Sequence, residues 1–247
     1  MVGTVAWRAG SSGSGPAGVG VIGVVGARGG AGASTFAAAL AHRLARSSAT
    51  VLVDLDRAGG GIDVVVGIEG SGGVRWPDLV DARGTVDARD LAGLLPRWGD
   101  CSVLSADRSR PGPPPTAALP DVLDALRGEH ASVVLDLDRS DVLDRGAVLA
   151  SCRTVLVVVP RDLLAVAGAL ALRPALVDLV PDVRLVVRGP APGGLGALEL
   201  AHVVDLPIAV SMACDGRLAA AGERGGGPVL RRGALGRAVA RVAGALA

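Results

Sequence analysis

Three stretches of this chain are apolar on both faces at once: "TVLVDL" (50–55), "ASVVLDL" (131–137) and "RTVLVVVP" (153–160). A strand with one wet face alternates apolar and polar residues, so strands without that alternation must be covered on both sides. Further Val/Leu-rich runs at 20–26, 101–105, 183–188 and 206–211 read as strands of the same kind. Helical patterns fall between them at 34–46, 87–95, 116–128, 142–150, 162–179, 196–204 and 233–246. Strands alternating with helices build a three-layer α/β sandwich, a mainly parallel sheet of about seven or eight strands with helices on both faces. Ligands of such sheets sit outside the carboxyl ends of the strands, so the informative residues should follow strands.

Composition narrows what this scaffold can do. Half of the 247 residues are apolar, enough for one full core. The net charge of +1 gives no field to attract nucleic acid or an anionic membrane. All 25 basic residues are arginine, so no lysine anywhere can serve a phosphate. Cys101, Cys152 and Cys214 are far apart, and His42, His130 and His202 lack ligand spacing, which argues for reduced thiols in a cytoplasmic protein without a Cys/His metal centre. No apolar run reaches the ~18 residues of a membrane span. The start "MVGTVAWRAG" lacks the apolar core of a signal peptide. The small polar stretch "RAGSSGSGPAGVG" (8–20) makes residues 1–19 a flexible tail or linker before a domain over 20–247. In the last helix Leu235, Val239, Val242 and Leu246 make one apolar stripe, flanked by Arg231, Arg232, Arg237 and Arg241. Without bulky aromatics this stripe suits docking on the sheet, and direct membrane binding is not expected.

The first strand runs into "ARGGAGAST" (27–35). Gly29, Gly30 and Gly32 let the backbone curl its N–H groups toward one point, and Ser34 and Thr35 open a helix whose start favours an anion. The phosphate-loop pattern G-x-x-x-x-G-K-[ST] is matched at Gly32 and Ser34 and missed at Ala27 and Ala33. Ser34 stands where a Mg²⁺ ligand is expected, and a second candidate, Asp136, ends the apolar run that opens "VVLDLDRS" (133–140) and would act through a bound water. After the second strand come Asp54, Asp56 and Asp63 in "VDLDRAGGGID" (53–63), and only one of the first two need reach a ligand. A plain glycine turn and a dinucleotide site remain the other readings. The latter rests on an acid, Asp54 or Asp56, at a suitable distance after the glycines, and lacks any catalytic Tyr or Lys.

Taken together, these elements resemble the MinD/ParA group of deviant-Walker P-loop ATPases, whose loop reads KGGxGKT. In that register Arg28 stands at the group's signature lysine and Ala33 at its second lysine. "DLDRAGGGIDVVVGIE" (54–69) is similar to the group's DxDxGxxNLDxxxG segment, placing Asp56 at the water-positioning aspartate and Asp63 at the later one. "GARGGAGAST", "VRWPDL" (74–79), "VVVPRDLLAV" (157–166) and "VVRGPAPGGL" (186–195) look like blocks of the CpaE/TadZ-like branch, which includes the actinobacterial septum site-determining proteins. The group's adenine-reading asparagine is absent from "VVRGP". The resemblance implies a P-loop NTPase-like fold over about residues 20–245, with ATP phosphates held by Arg28, Gly29, Gly30, Ala31, Gly32, Ala33, Ser34 and Thr35. It implies Mg²⁺ on Ser34 and Asp136, and Asp56 as the catalytic residue if the site is active. Losing the lysine forfeits one charge-assisted contact, about 1.5–3 kcal/mol, so ATP should bind weakly and turn over slowly or not at all. The implied role is a nucleotide-responsive homodimer, recruited through protein partners to a pole or septum, that positions a septum or a pilus/secretion assembly. The alternative is an active ATPase of the same group.

Overall fold

The structure, a computed structural model, describes residues 18–56, 60–82, 86–228 and 233–247. The tail expected over residues 1–19 lies almost wholly outside these. Eight strands make one sheet: β1 (Gly20–Gly26), β2 (Thr50–Asp54), β3 (Arg97–Trp98), β4 (Cys101–Leu104), β5 (Ser132–Asp136), β6 (Thr154–Pro160), β7 (Asp182–Arg188) and β8 (Ile208–Met212). Their spatial order is β3-β4-β2-β5-β1-β6-β7-β8. Every neighbouring pair is parallel except β3 with β4.

The helices are α1 (Ala33–Ala45), α2 (Ile62–Val66), α3 (Ala88–Leu94), α4 (Leu119–Glu129), α5 (Arg139–Leu143), α6 (Val148–Ser151), α7 (Leu163–Leu179), α8 (Ala197–Val204), α9 (Arg217–Gly222) and α10 (Ala234–Leu246), with a 3-10 turn at Trp76–Leu79. Successive strand residues point to opposite faces, and each face has its own core. Val133 and Leu135 of β5 join α3 to α8 and the Trp76 turn on one side. Val134 joins α1, α2 and α10 on the other. This is the three-layer sandwich that the doubly apolar runs demand. Phe36 and Leu40 of α1 are fully buried against the sheet, and truncating a phenylalanine in such a place costs about 3–5 kcal/mol.

On α10, Leu235, Val239 and Val242 are buried while Arg237 and Arg241 face out, so the stripe is a docking face. Arg231 and Arg232 lie outside the described residues. Two features differ from the sequence reading. The helix expected over 142–150 is two short ones, α5 and α6, because Arg145 adopts a left-handed φ of 55° before Gly146. The short β3, α2 and α9 and the Trp76 turn carry too few residues for a periodic signal.

Topology fixes where a ligand can sit. The chain leaves β1 toward β2 on one side and later fills β6 on the other, so strand order reverses at β1. The crevice outside the carboxyl end of β1 is therefore the place for a ligand. Helix α7 closes tightly on it: a β-carbon on Gly168 would lie 1.8 Å from the Ala27 carbonyl oxygen, so only glycine permits that approach.

Candidate functional site

β1 delivers the chain into the crevice at Gly26, where Ala27 N–H donates to the Val158 carbonyl of β6 at 3.0 Å. The loop turns back on itself, Ala31 N–H donating to the Arg28 carbonyl at 3.3 Å. Gly32 caps α1 with a φ of 90°, a conformation strained for any residue with a side chain. No side chain caps this helix start, and its first turn holds no acid. The leading N–H groups of α1 are thus left for an anion at the positive end of the helix.

Ser34 and Asp136 meet. Ser34, the second residue of α1, lies close enough to the Asp136 carboxylate to hold its pKa down against burial, and strand β5 pairs Asp136 in register with Val24 of β1 and with Asp54 of β2. Burial pushes the Asp136 carboxyl up to about 7; Ser34 works against this, and the charges of Asp54 and Asp56 add to it. Burial likewise raises Asp54 to about 6. Asp54 is a tie rather than a ligand group: its carboxylate accepts from the backbone N–H of Ile62 at 2.8 Å, Asp56 at 3.1 Å and Ala106 at 3.5 Å. Asp56 lies just beyond the strand and is half-buried. A hydroxyl and a carboxylate leave room for phosphate and water oxygens, the hard donor set that Mg²⁺ prefers. The residues therefore fit the ion.

The other sequence candidates divide. Gly29, Gly30 and Thr35 are at the loop surface or half-buried, and Ala31 is buried beneath it. Ala33 is the first residue of α1, with no cation on it. Arg28 is tied to the start of α7. Its guanidinium pairs with Asp162 at 2.8 Å and donates to the Gly29 carbonyl at 2.9 Å. Asp162 in turn caps α7 by accepting from Ala165 N–H at 2.9 Å. The bond to Arg28 holds the Asp162 carboxyl below its usual range. Asp63 is buried against Arg75 at 3.5 Å and ties the 62–76 segment together. The "VRWPDL" block braces the second strand: the buried Trp76 indole N–H donates to the Asp54 carbonyl at 2.6 Å. Cys101 and Cys152 are buried, with thiols pushed up to about 12 by that burial.

Sequence reasoning missed Arg188. It ends β7 and reaches across to the loop, Nη1 donating to the Ala31 carbonyl at 2.9 Å. Its signal was present, since it follows a strand, but the segment stood out for a missing asparagine instead. Arg188, Gly30, Gly32 and Thr35 line a cavity of about 780 Å³ whose far wall includes Val64, Met212 and Leu235.

No protein-family model matches the chain. Two curated proteins from Mycobacterium tuberculosis strains, the uncharacterized proteins MT3760 and Rv3660c, are each 42% identical over 215 residues. That alignment takes in 87% of this chain, which spans 60% of the length of those relatives. Among solved structures, the MinC:MinD cell division complex of Aquifex aeolicus is similar at a TM-score of 0.74 and 16% identity, covering 92% of this chain and 95% of that one. MinD of Pyrococcus horikoshii, complexed with Mg-ADP, gives 0.72 and 16% over 90% and 93%. A ParA family ATPase of Chlorobium tepidum gives 0.71 and 17% over 92% and 98%. The eight-stranded, mostly parallel sheet with its loop after β1 has the fold of the MinD and ParA P-loop ATPases.

Proposed function

We propose that this chain is a MinD/CpaE-like nucleotide-responsive spatial regulator that binds Mg-ATP weakly and hydrolyses it slowly or not at all. One observation carries the reading: an uncapped helix start with Ser34 held against Asp136, and Ala33 where a lysine would contact the outer phosphates. Backbone N–H groups and the positive end of α1 would seat the phosphates. Mg²⁺, when bound, would supply charge neutralisation of the phosphates, with Ser34 as its direct protein ligand and Asp136 holding it through a bound water. Asp56 would orient a water. Without the Ala33 cation the charge that develops in phosphoryl transfer is poorly met, so binding outlasts turnover.

A second copy of the chain is the proposed partner in the nucleotide-bound state. Leu163 and Leu164, 82% and 76% exposed, stand at the rim of the site beside the Arg28–Asp162 pair. The positioning of a septum or a pilus/secretion assembly is inferred from the resemblance and from MinD of Aquifex aeolicus, which is found in complex with MinC. Among the described residues no helix is long and apolar enough to cross a membrane, which is compatible with recruitment through partners.

Calorimetric titration with Mg-ATP tests the binding, with NAD as the competing ligand class. Saturable ATP binding that loses its magnesium dependence in Ser34→Ala supports the proposal, and no saturation at millimolar ATP rejects it. Phosphate release under the same conditions separates a slow or inert site from an active ATPase.

A further inference from the structure

The loop carries no lysine, and Arg28 is turned onto Asp162. Among the described residues, a second cation on the loop comes from β7. Arg188 Nη1 donates to the Ala31 carbonyl at 2.9 Å, and Nη2 donates to the Cys214 sulfur at 3.4 Å. Nη1 lies 3.1 Å from the place a β-carbon on Gly32 would occupy, so the guanidinium is laid directly over the capping residue of α1. Among the described residues that line the cavity, Arg188 is the sole cation, opposite Glu69, Asp215 and Glu223. Asp215 is already neutralised by Arg217 at 2.9 Å. A guanidinium has five N–H donors in a planar fork and no acceptor. Those of Arg188 beyond its two bonds have no hydrogen-bond partner among the described residues.

We infer that Arg188 grips the phosphates of the nucleotide, supplying from β7 the charge that Ala33 does not supply from the loop. This rests on the nucleotide reading above. The bond to Ala31 holds the fork beside Gly32 and Thr35, where the leading N–H groups of α1 gather, and the free donors suit a bidentate grip on phosphate oxygens. The chain contains no Asn and no Gln, so no side-chain amide can read a base.

The test is calorimetry of the full chain with ATP, GTP and inorganic tripolyphosphate. The variants are Arg188→Met, which keeps the stem, and Arg188→Gln, which keeps a polar end but loses the charge and the planar fork of donors. Both variants should weaken all three ligands by about ten- to a hundred-fold, the share of one charge-assisted contact. The difference from wild type should narrow as ionic strength rises. Unchanged affinity for tripolyphosphate in Arg188→Gln overturns the inference. So does a loss confined to one nucleotide, which would mark a contact with the base, since arginine pairs with guanine edges. A wild-type chain that binds none of the three ligands rejects the nucleotide reading as a whole, a result distinct from either.

Discussion

Replacing Asp136 by asparagine should stabilise the ligand-free protein at alkaline pH and leave it unaffected in acid. The carboxyl is almost wholly buried and pushed up to about 7, against about 3.9 in an unfolded chain. A carboxyl raised in this way favours folding only while protonated. Its contribution is complete below pH ~4 and is lost as pH climbs through about 7. At about 1.4 kcal/mol per pKa unit, ionising it in the fold costs roughly 4 kcal/mol by pH 8. Asparagine keeps the shape and can still accept from Ser34, but does not ionise. For a chain of this length roughly 4 kcal/mol corresponds to about 10 °C in melting temperature. Melting both proteins between pH 4 and pH 8.5 without Mg²⁺ measures it. The curves should coincide at the acid end and part steadily above pH 5. Nucleotide with Mg²⁺ should close the gap by stabilising the wild type alone, because a cation favours the ionised form. The magnesium-dependent part of ATP binding should strengthen with pH up to about 7 and level off above it. If the two proteins differ by the same amount at every pH, Asp136 does not titrate as a buried acid, and the argument for it as a metal ligand loses its electrostatic half.

Other perturbations probe the loop and its supports. Ala33→Lys should raise ATP affinity about ten- to a hundred-fold and bring measurable turnover, which Asp56→Ala in the same background should abolish while sparing binding. A folded Ala33→Lys protein with neither effect would return the loop to a structural turn. Gly168→Ala puts a β-carbon 1.8 Å from the Ala27 carbonyl oxygen, so it should destabilise by about 1–3 kcal/mol despite the helix preference of alanine, and weaken ATP binding; a rise in melting temperature would contradict the tight packing of α7 on the loop. Leu164→Asp should leave the monomer intact and prevent ATP-dependent dimers in sedimentation velocity; dimers of unchanged stability would remove the α7 rim from the interface.

The parts of this molecule legible in the sequence are those whose cause is local. β5 could be read because "SVVLD" is apolar on both faces, and α1 because the glycines before it and Ser34–Thr35 mark its start. α10 was visible in its stripe, and Asp136 in its place at a strand end. What could not be read depends on partners far along the chain. Arg28 meets Asp162 across 134 residues, and Arg188 meets Ala31 across 157. No spacing rule joins such pairs; the sheet order that sets β6 beside β1 and β7 one strand further does. The break between α5 and α6 escaped for a different reason, since Arg145 gives no warning of a left-handed conformation that glycine or asparagine would have announced.

Trp76 gives the site an optical consequence. Its indole is sealed in the core and bonded through Nε1 to the carbonyl of Asp54, the residue whose carboxylate ties Asp56 in place. An indole in such surroundings emits toward the blue, and its intensity follows the hydrogen bond it makes. Any ligand that draws Asp56 inward must pull on that same turn, so its arrival registers as a change in light from a tryptophan it never touches. Trp98, half-buried beside His42 at a ring separation of 4.8 Å, lies off this line of connection. Replacing it and Trp7 with phenylalanine would darken the background and leave Trp76 to report the movement of its turn in stopped-flow time, without a dye.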